Sequence, residues 1–131
     1  MKPKSREEDI NKSEVLKNEF GFEVRHVGVN CENEEEAIKV AERFELLFGF
    51  PKKVGNSSVF AGTGVEVMKT PYLGKNGHIA IGTTDIEGAV KYLEAKGVVF
   101  DPETAKYKNE RMIAIYMKEE QGGFVVHLVQ K

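Results

Sequence analysis

Three histidines stand among the 131 residues, and each adjoins a short aliphatic run. His26 precedes Val27-Gly28-Val29, His78 precedes Ile79-Ala80-Ile81, and His127 lies between Val126 and Leu128. Glu66 is framed in the same way by Val65 and Val67. Such runs read as strands, in which successive side chains point to opposite faces. If the aliphatic neighbours pack toward a core, the three imidazoles and the carboxylate are left on the other face. If two halves of the chain then curve toward each other, these groups converge. Three nitrogens and one carboxylate oxygen suit Zn(II), Ni(II), Co(II), Mn(II) or Fe(II). No short metal-binding motif enforces that geometry, so the ordinary role of a strand histidine, as a hydrogen-bonded core or surface residue, stays open for each one.

The elements that must position these groups follow a repeated order. Phe22–Asn30 alternates as a half-buried strand. In the segment 33–50, Ala37, Ile38, Ala41, Phe44, Leu47 and Phe48 recur at three- and four-residue spacing beneath an acidic first turn. The spacing predicts a helix over 34–48, capped near Asn33 and ended by Gly49. Residues 52–70 hold two or three short strands separated by glycine turns, and 71–77 form a loop. A strand at GHIAIGT, a helix over 85–96 capped by Asp85 and closed by Gly97, and strands at VVF, MIAIYMKE and GFVVHLVQ complete the chain, with DPETAKYKNER read as a long loop. At an offset of 52 residues the two halves superpose without gaps through strand and helix, pairing His26 with His78, Val27 with Ile79 and Ala37 with Ala89. Near the ends of the halves an offset of 61 pairs Glu66 with His127. The expected fold is therefore α+β: two βαβββ modules, about 22–70 and 76–131, forming a curved mixed sheet with a pseudo-twofold axis.

Composition narrows the partners. Nineteen Lys and Arg against 21 Asp and Glu give a net charge of -2, with no basic excess to neutralise a phosphate backbone. Nucleic acid is not an expected partner. No apolar run approaches the ~20 residues that span a bilayer, and the first residues lack a signal peptide's apolar segment. The expectation is a cytoplasmic protein without a membrane partner. Residues 1–21, half of them charged, read as a tail or docking helix. The single cysteine, Cys31, cannot form an internal disulfide, and its acidic loop CENEEE raises the thiol pKa, which speaks against a nucleophile.

From Phe22 to Gln130 the sequence resembles the vicinal oxygen chelate superfamily of glyoxalase I, extradiol dioxygenases, methylmalonyl-CoA epimerase and the bleomycin- and fosfomycin-resistance proteins. The segment GHIAIG, preceded by a strand with an aliphatic-flanked Glu in GVEVM, carries most of the likeness. The resemblance implies the glyoxalase/bleomycin resistance/dioxygenase fold, a homodimer, and His26, Glu66 and His78 as metal ligands. The last strand departs from glyoxalase I, placing His127 where that family usually has a Glu, which tells against lactoylglutathione lyase activity itself. The core also resembles a glyoxalase-like domain associated with some bacterial ketodeoxyphosphogluconate and hydroxyoxoglutarate aldolases. That likeness points to keto acids or sugar acids with adjacent oxygens.

Together these readings imply a lyase or isomerase dependent on a divalent metal, acting on a small keto acid or sugar-acid substrate through an enediolate. His26, Glu66, His78 and His127 would hold the metal, with Glu66 or His127 as the base. The alternative is a metal-free small-molecule binding or accessory module of the same fold. Tyr72 and Lys75, in the loop between two candidate ligands, could border a substrate. Met112, Tyr116 and Phe124 read as strand core, Lys108 and Arg111 as solvated loop charges, and Arg25, adjacent to His26, as pointing to the opposite face.

Overall fold

The computed structural model of the chain describes residues 14–16 and 18–131. Eight strands make one mixed sheet: β1 Glu23–Asn30, β2 Lys52–Val54, β3 Ser58–Ala61, β4 Val65–Met68, β5 Gly77–Thr83, β6 Phe100–Lys108, β7 Arg111–Gln121 and β8 Phe124–Gln130. Besides the helical residues 14–16 and 18–20, two helices, here α1 Glu34–Phe48 and α2 Ile86–Ala95, follow β1 and β5. The strand order is β2-β3-β4-β1-β5-β8-β7-β6, so each βαβββ module fills one half and the halves join through the β1–β5 pair.

That central pair carries the pseudo-symmetry in its register. His26 lies opposite Ala80, Val27 opposite Ile79, and Gly28 opposite His78. Exchanging each residue for its mate 52 positions away returns the same pairs. The flanking parallel pairs obey the same axis, with Glu66 and His127 exchanged at an offset of 61: Gly28 is beside Glu66 in β1–β4, and Ala80 is beside His127 in β5–β8.

The helices cover one face. Asn33 Oδ1 accepts from the Glu36 amide at the start of α1, and Gly49 closes the helix in the left-handed region at φ 75°. Ala37 and Ala41 of α1 are fully buried against Val59, Ala61 and Val67. In the second module Ile86 and Ala89 of α2 pack with Phe100, Ile115 and Leu128. Phe20 joins this second core, stacked on Phe22 and tilted against Tyr92. Most of the charged segment 1–21 lies outside the described residues, but its end is tied in, because the Phe20 carbonyl accepts from Thr83 Oγ1 at 2.6 Å and the Thr84 amide at 2.8 Å. Among the described residues no helix is long and apolar enough to cross a membrane.

One expected loop is a strand. Phe100–Lys108 forms β6 and only the turn at Asn109 and Glu110, both at positive φ, separates it from β7. The extra length of the second module is thus spent on a longer hairpin. The charged, proline-containing run DPETAKYK conceals the strand because β6 is a sheet edge, where proline and charge are tolerated and discourage further pairing.

Candidate metal centre

Val65, Val67, Ile81 and Leu128, turned toward the helices, leave the intervening residues of β1, β4, β5 and β8 on the open face. There the chain brings His26, Glu66, His78 and His127 together. His78 Nε2 lies 3.0 Å from Glu66 Oε1, His26 Nε2 lies 3.3 Å from the same oxygen, and the two Nε2 atoms are 3.3 Å apart. His127 completes the group, with a ring nitrogen of each histidine within 4.8 Å of the others. His78 and His127 are buried, whereas His26 and Glu66 are partly open to solvent. All four come from a single chain.

This arrangement fits a small cation. Ligand atoms about 2.0–2.2 Å from a common centre, at tetrahedral or octahedral angles, stand roughly 3.0–3.4 Å from one another. The His26, His78 and Glu66 tips form a triangle of that size. The buried nitrogens Nδ1 and Nε2 of His127 and Nδ1 of His78 have no hydrogen-bond partner among the described residues. Burying such groups unpaired costs about 1–3 kcal/mol each, a cost that coordination of one nitrogen would offset.

Small residues make the room. Position 28 faces the His78 ring so closely that a Cβ there would fall 2.0 Å from Cε1 and 2.5 Å from Nε2. Its symmetry mate Ala80 is fully buried beside His127. Glu66 is oriented from behind by Ser58, whose buried hydroxyl donates to Oε2 at 2.7 Å. That bond leaves Oε1 to the two histidines.

The electrostatics agree with an anion beside one neutral imidazole, that of His127. Burial alone would raise the Glu66 pKa, but hydrogen bonds with His26, His78 and Ser58 outweigh it and hold the carboxyl well below the usual range. Burial, and then the charges of His78 and His26, push His127 down to about 3, with the Lys106 cation adding to the effect and Glu66 opposing it. His127 is therefore neutral at pH 7, as a ligand must be. Tyr116 stacks on His127 with ring centroids 4.3 Å apart and planes 9° apart, and burial pushes its phenol up to about 12.

No family model matches the chain, and no curated protein sequence matches it. Solved structures do. A methylmalonyl-CoA epimerase variant of Streptomyces coelicolor, in complex with 2-nitronate-propionyl-CoA, superposes with a TM-score of 0.56 at 17% identity, over 83% of this chain and 94% of its own. Methylmalonyl-CoA epimerase from Mycobacterium tuberculosis gives 0.52 at 14%, over 82% and 86%. A hypothetical protein of Bacillus halodurans gives 0.57 at 13%, over 84% and 94%. The chain has the glyoxalase/bleomycin resistance fold of these structures. Its four candidate ligands thus stand in a scaffold shared with epimerases, although identities this low carry the fold alone.

Other residues fall differently from their sequence reading. Tyr116 is not only core: opposite His127 in the β7–β8 register, it faces the cup, while Met112 packs against the helix-side core. Tyr72 is half exposed and meets Tyr116 edge-on at 6.1 Å. Arg25 escapes the alternation rule because a bulge falls between Val24 and His26. Its Cγ and Cδ lie 2.8 Å from where a Cβ on Gly82 would stand, and Gly82 is on the His78 side of β5. Cys31 is 3% exposed with its pKa raised, by burial first and by Glu36 and Glu32 only after it. Nothing in the sequence marked Ser58 or Gly28, whose importance comes from cross-strand neighbours.

Proposed function

We propose that the chain is a divalent-metal-dependent isomerase or lyase acting on a small acid with adjacent oxygens. His26, Glu66, His78 and His127 would hold the ion. The observation that carries this reading is the triangle of His26, Glu66 and His78 tips, 3.0–3.3 Å on each side, beside a buried histidine with no partner. Bound there, a divalent ion supplies Lewis-acid polarisation of a substrate carbonyl. The chain supplies the rest. Ser58 fixes the carboxylate of Glu66, the cup walls exclude water from the buried side of His127, and Glu66, or His127 when released from the ion, accepts the proton beside the carbonyl. The epimerase neighbours support proton transfer at carbon as the reaction class, without specifying the substrate. A homodimer belongs to the same reading and would have twice the chain mass by light scattering.

Elemental analysis of protein purified without a histidine tag tests the reading. About one zinc-like ion per chain is expected, with none in His78→Ala. Proton NMR should then show metal-dependent exchange of the C3 protons of 2-oxobutanoate into deuterated water. Metal at trace level in the wild type would sink the proposal and leave the metal-free binding module in its place.

A further inference from the structure

The pseudo-twofold exchange breaks down where the two helices end. Helix α2 stops at Ala95, the mate of Arg43, whereas α1 runs on to Phe48. The additional turn is Phe44-Glu45-Leu46-Leu47-Phe48, and Phe50 follows the Gly49 cap. At 3.6 residues per turn, Leu46, Leu47 and Phe48 point to different sides of the helix, so the chain's own sheet cannot take them all. Only Phe44 leans on the core of Ala37, Ala41 and Val59. Leu46, Leu47, Phe48 and Phe50 are 75, 53, 62 and 42% exposed, and Val54 on the edge strand β2 is 52% exposed. The rings of Phe44, Phe48 and Phe50 touch, with centroids 5.8–6.4 Å apart, which joins these residues into one surface.

The second module finishes the corresponding region from within the chain. Phe20 covers Tyr92, the mate of Val40, Lys96 holds its ammonium 5.1 Å from the centroid of the same ring, and Phe100, the mate of Phe48, is buried. Nothing equivalent covers α1 among the described residues. Tyr72, the mate of Phe20, meets Tyr116 at the cup instead. Residues 1–13 contain only Met1 and Ile10 as large apolar side chains, too few to cover the patch.

Area and charge point to a second copy of the chain. A helix segment that is apolar all round is one that becomes buried. The exposed parts of these side chains amount to roughly 500 Å². Homodimer interfaces are about 65% apolar, so a half-interface of ~800 Å² needs about that much apolar surface. The rim carries both signs: Glu42 and Glu45 stand beside Arg43, Lys52 and Lys53, and Arg43 and Lys53 have no ion pair among the described residues. A rim of one sign would repel its copy, whereas a mixed rim lets a twofold axis set carboxylates against cations. The same mixture gives no electrostatic pull toward an anionic membrane.

We propose that Leu46, Leu47, Phe48 and Phe50 form the contact between two copies of this chain related by a twofold axis, with β2 at its margin. The inference rests on the homodimer of the proposed function and names the surface that makes it. The contact lies on the helix side of the sheet, so both cups stay open and each keeps its candidate ligands from one chain.

The test is analytical ultracentrifugation of the full chain across a dilution series. Wild type should sediment at twice the chain mass. Leu46→Glu and Leu47→Glu each place a carboxylate in the contact twice per dimer and should weaken dimerisation at least about 100-fold. Both variants should keep the circular dichroism of the wild type, because more than half of each side chain is exposed. Val99→Glu is the control: Val99 is the mate of Leu47 and is 58% exposed, and its substitution should leave the dimer intact. A dimer that survives both leucine substitutions, or that Val99→Glu breaks as readily, would overturn this surface and leave the homodimer standing. A wild type that is monomeric throughout the series would overturn both and leave the patch to another protein or to a membrane.

Discussion

Adding one methyl group at Gly28 tests the site's construction without touching a candidate ligand. The residue has no positive φ to preserve, so Gly28→Ala costs nothing in backbone strain. Its Cβ, however, would sit 2.0, 2.2 and 2.5 Å from Cε1, Nδ1 and Nε2 of His78. Ordinary contacts between carbons are about 3.5–4.0 Å, so the ring must retreat by roughly 1.5 Å or the strands must part. The ring is 3% exposed and has little space to move. A retreat of that size breaks the 3.0 Å approach to Glu66 Oε1 and the 3.3 Å approach to His26 Nε2. Overpacking of this kind costs about 1–3 kcal/mol, or about 3–10 °C in Tm for a chain of this size. Metal affinity should fall by more than the 10–100-fold that follows loss of an outer hydrogen-bond partner. Urea unfolding of chelated protein and Co(II) titration read the two effects separately. In a His78→Ala background the same methyl meets only another methyl, so a double-mutant cycle should return a coupling of about 1–3 kcal/mol. Gly28→Ala with unchanged stability and unchanged Co(II) affinity would refute the placement of His78 against β1.

Ser58→Ala should lower Co(II) affinity about 10–100-fold while Ser58→Thr retains part of it, because the hydroxyl alone orients Glu66; equal affinities for wild type and Ser58→Ala in a chelator competition would contradict this. Cys31→Ala should leave metal uptake unchanged, since the buried thiol lies beyond β1, and elemental analysis of the variant checks it. Chelated protein should lose stability as pH falls from about 6.5 toward 3, because the unfolded chain protonates His127 in that window and the folded chain does not. His127→Leu should flatten Tm against pH between roughly 6.5 and 4.5, and an unaltered slope would show that His127 is not the group responsible.

The parts of this fold that were legible in the sequence are those where a local pattern and the tertiary environment agree. Both helices announce themselves by apolar spacing, a side-chain cap and a following glycine; Asn33 and Asp85 cap as read, Gly49 closes the first helix, and Lys96, one residue before Gly97, is the C-cap of the second. The four candidate ligands stand out because a polar side chain interrupts an aliphatic strand, an interruption that a core would not tolerate without a partner. Strand β6 is hidden in the sequence for the converse reason. An edge strand buries little, so its charged residues imitate a loop, and its pairing with β7 can be seen only in register.

Register also explains why the walls of the cup were illegible. Tyr116 sits between Ile115 and Met117, an aromatic among aliphatics, which is what a core strand looks like. Only the alignment of β7 on β8 places it over His127, and only the alignment of β3 on β4 gives Phe60 the corresponding position. Gly28 is a similar case. On β1 it is an unremarked small residue, while across the sheet it is the space that His78 occupies. The repeat sets where a group must stand, since His26 and His78, and Glu66 and His127, are exchanged by one axis. What differs between the halves cannot follow from that axis. A glutamate against a histidine and a phenyl against a phenol make the cup chemically directional, and a site that must hold an unsymmetrical molecule in one orientation requires that directionality.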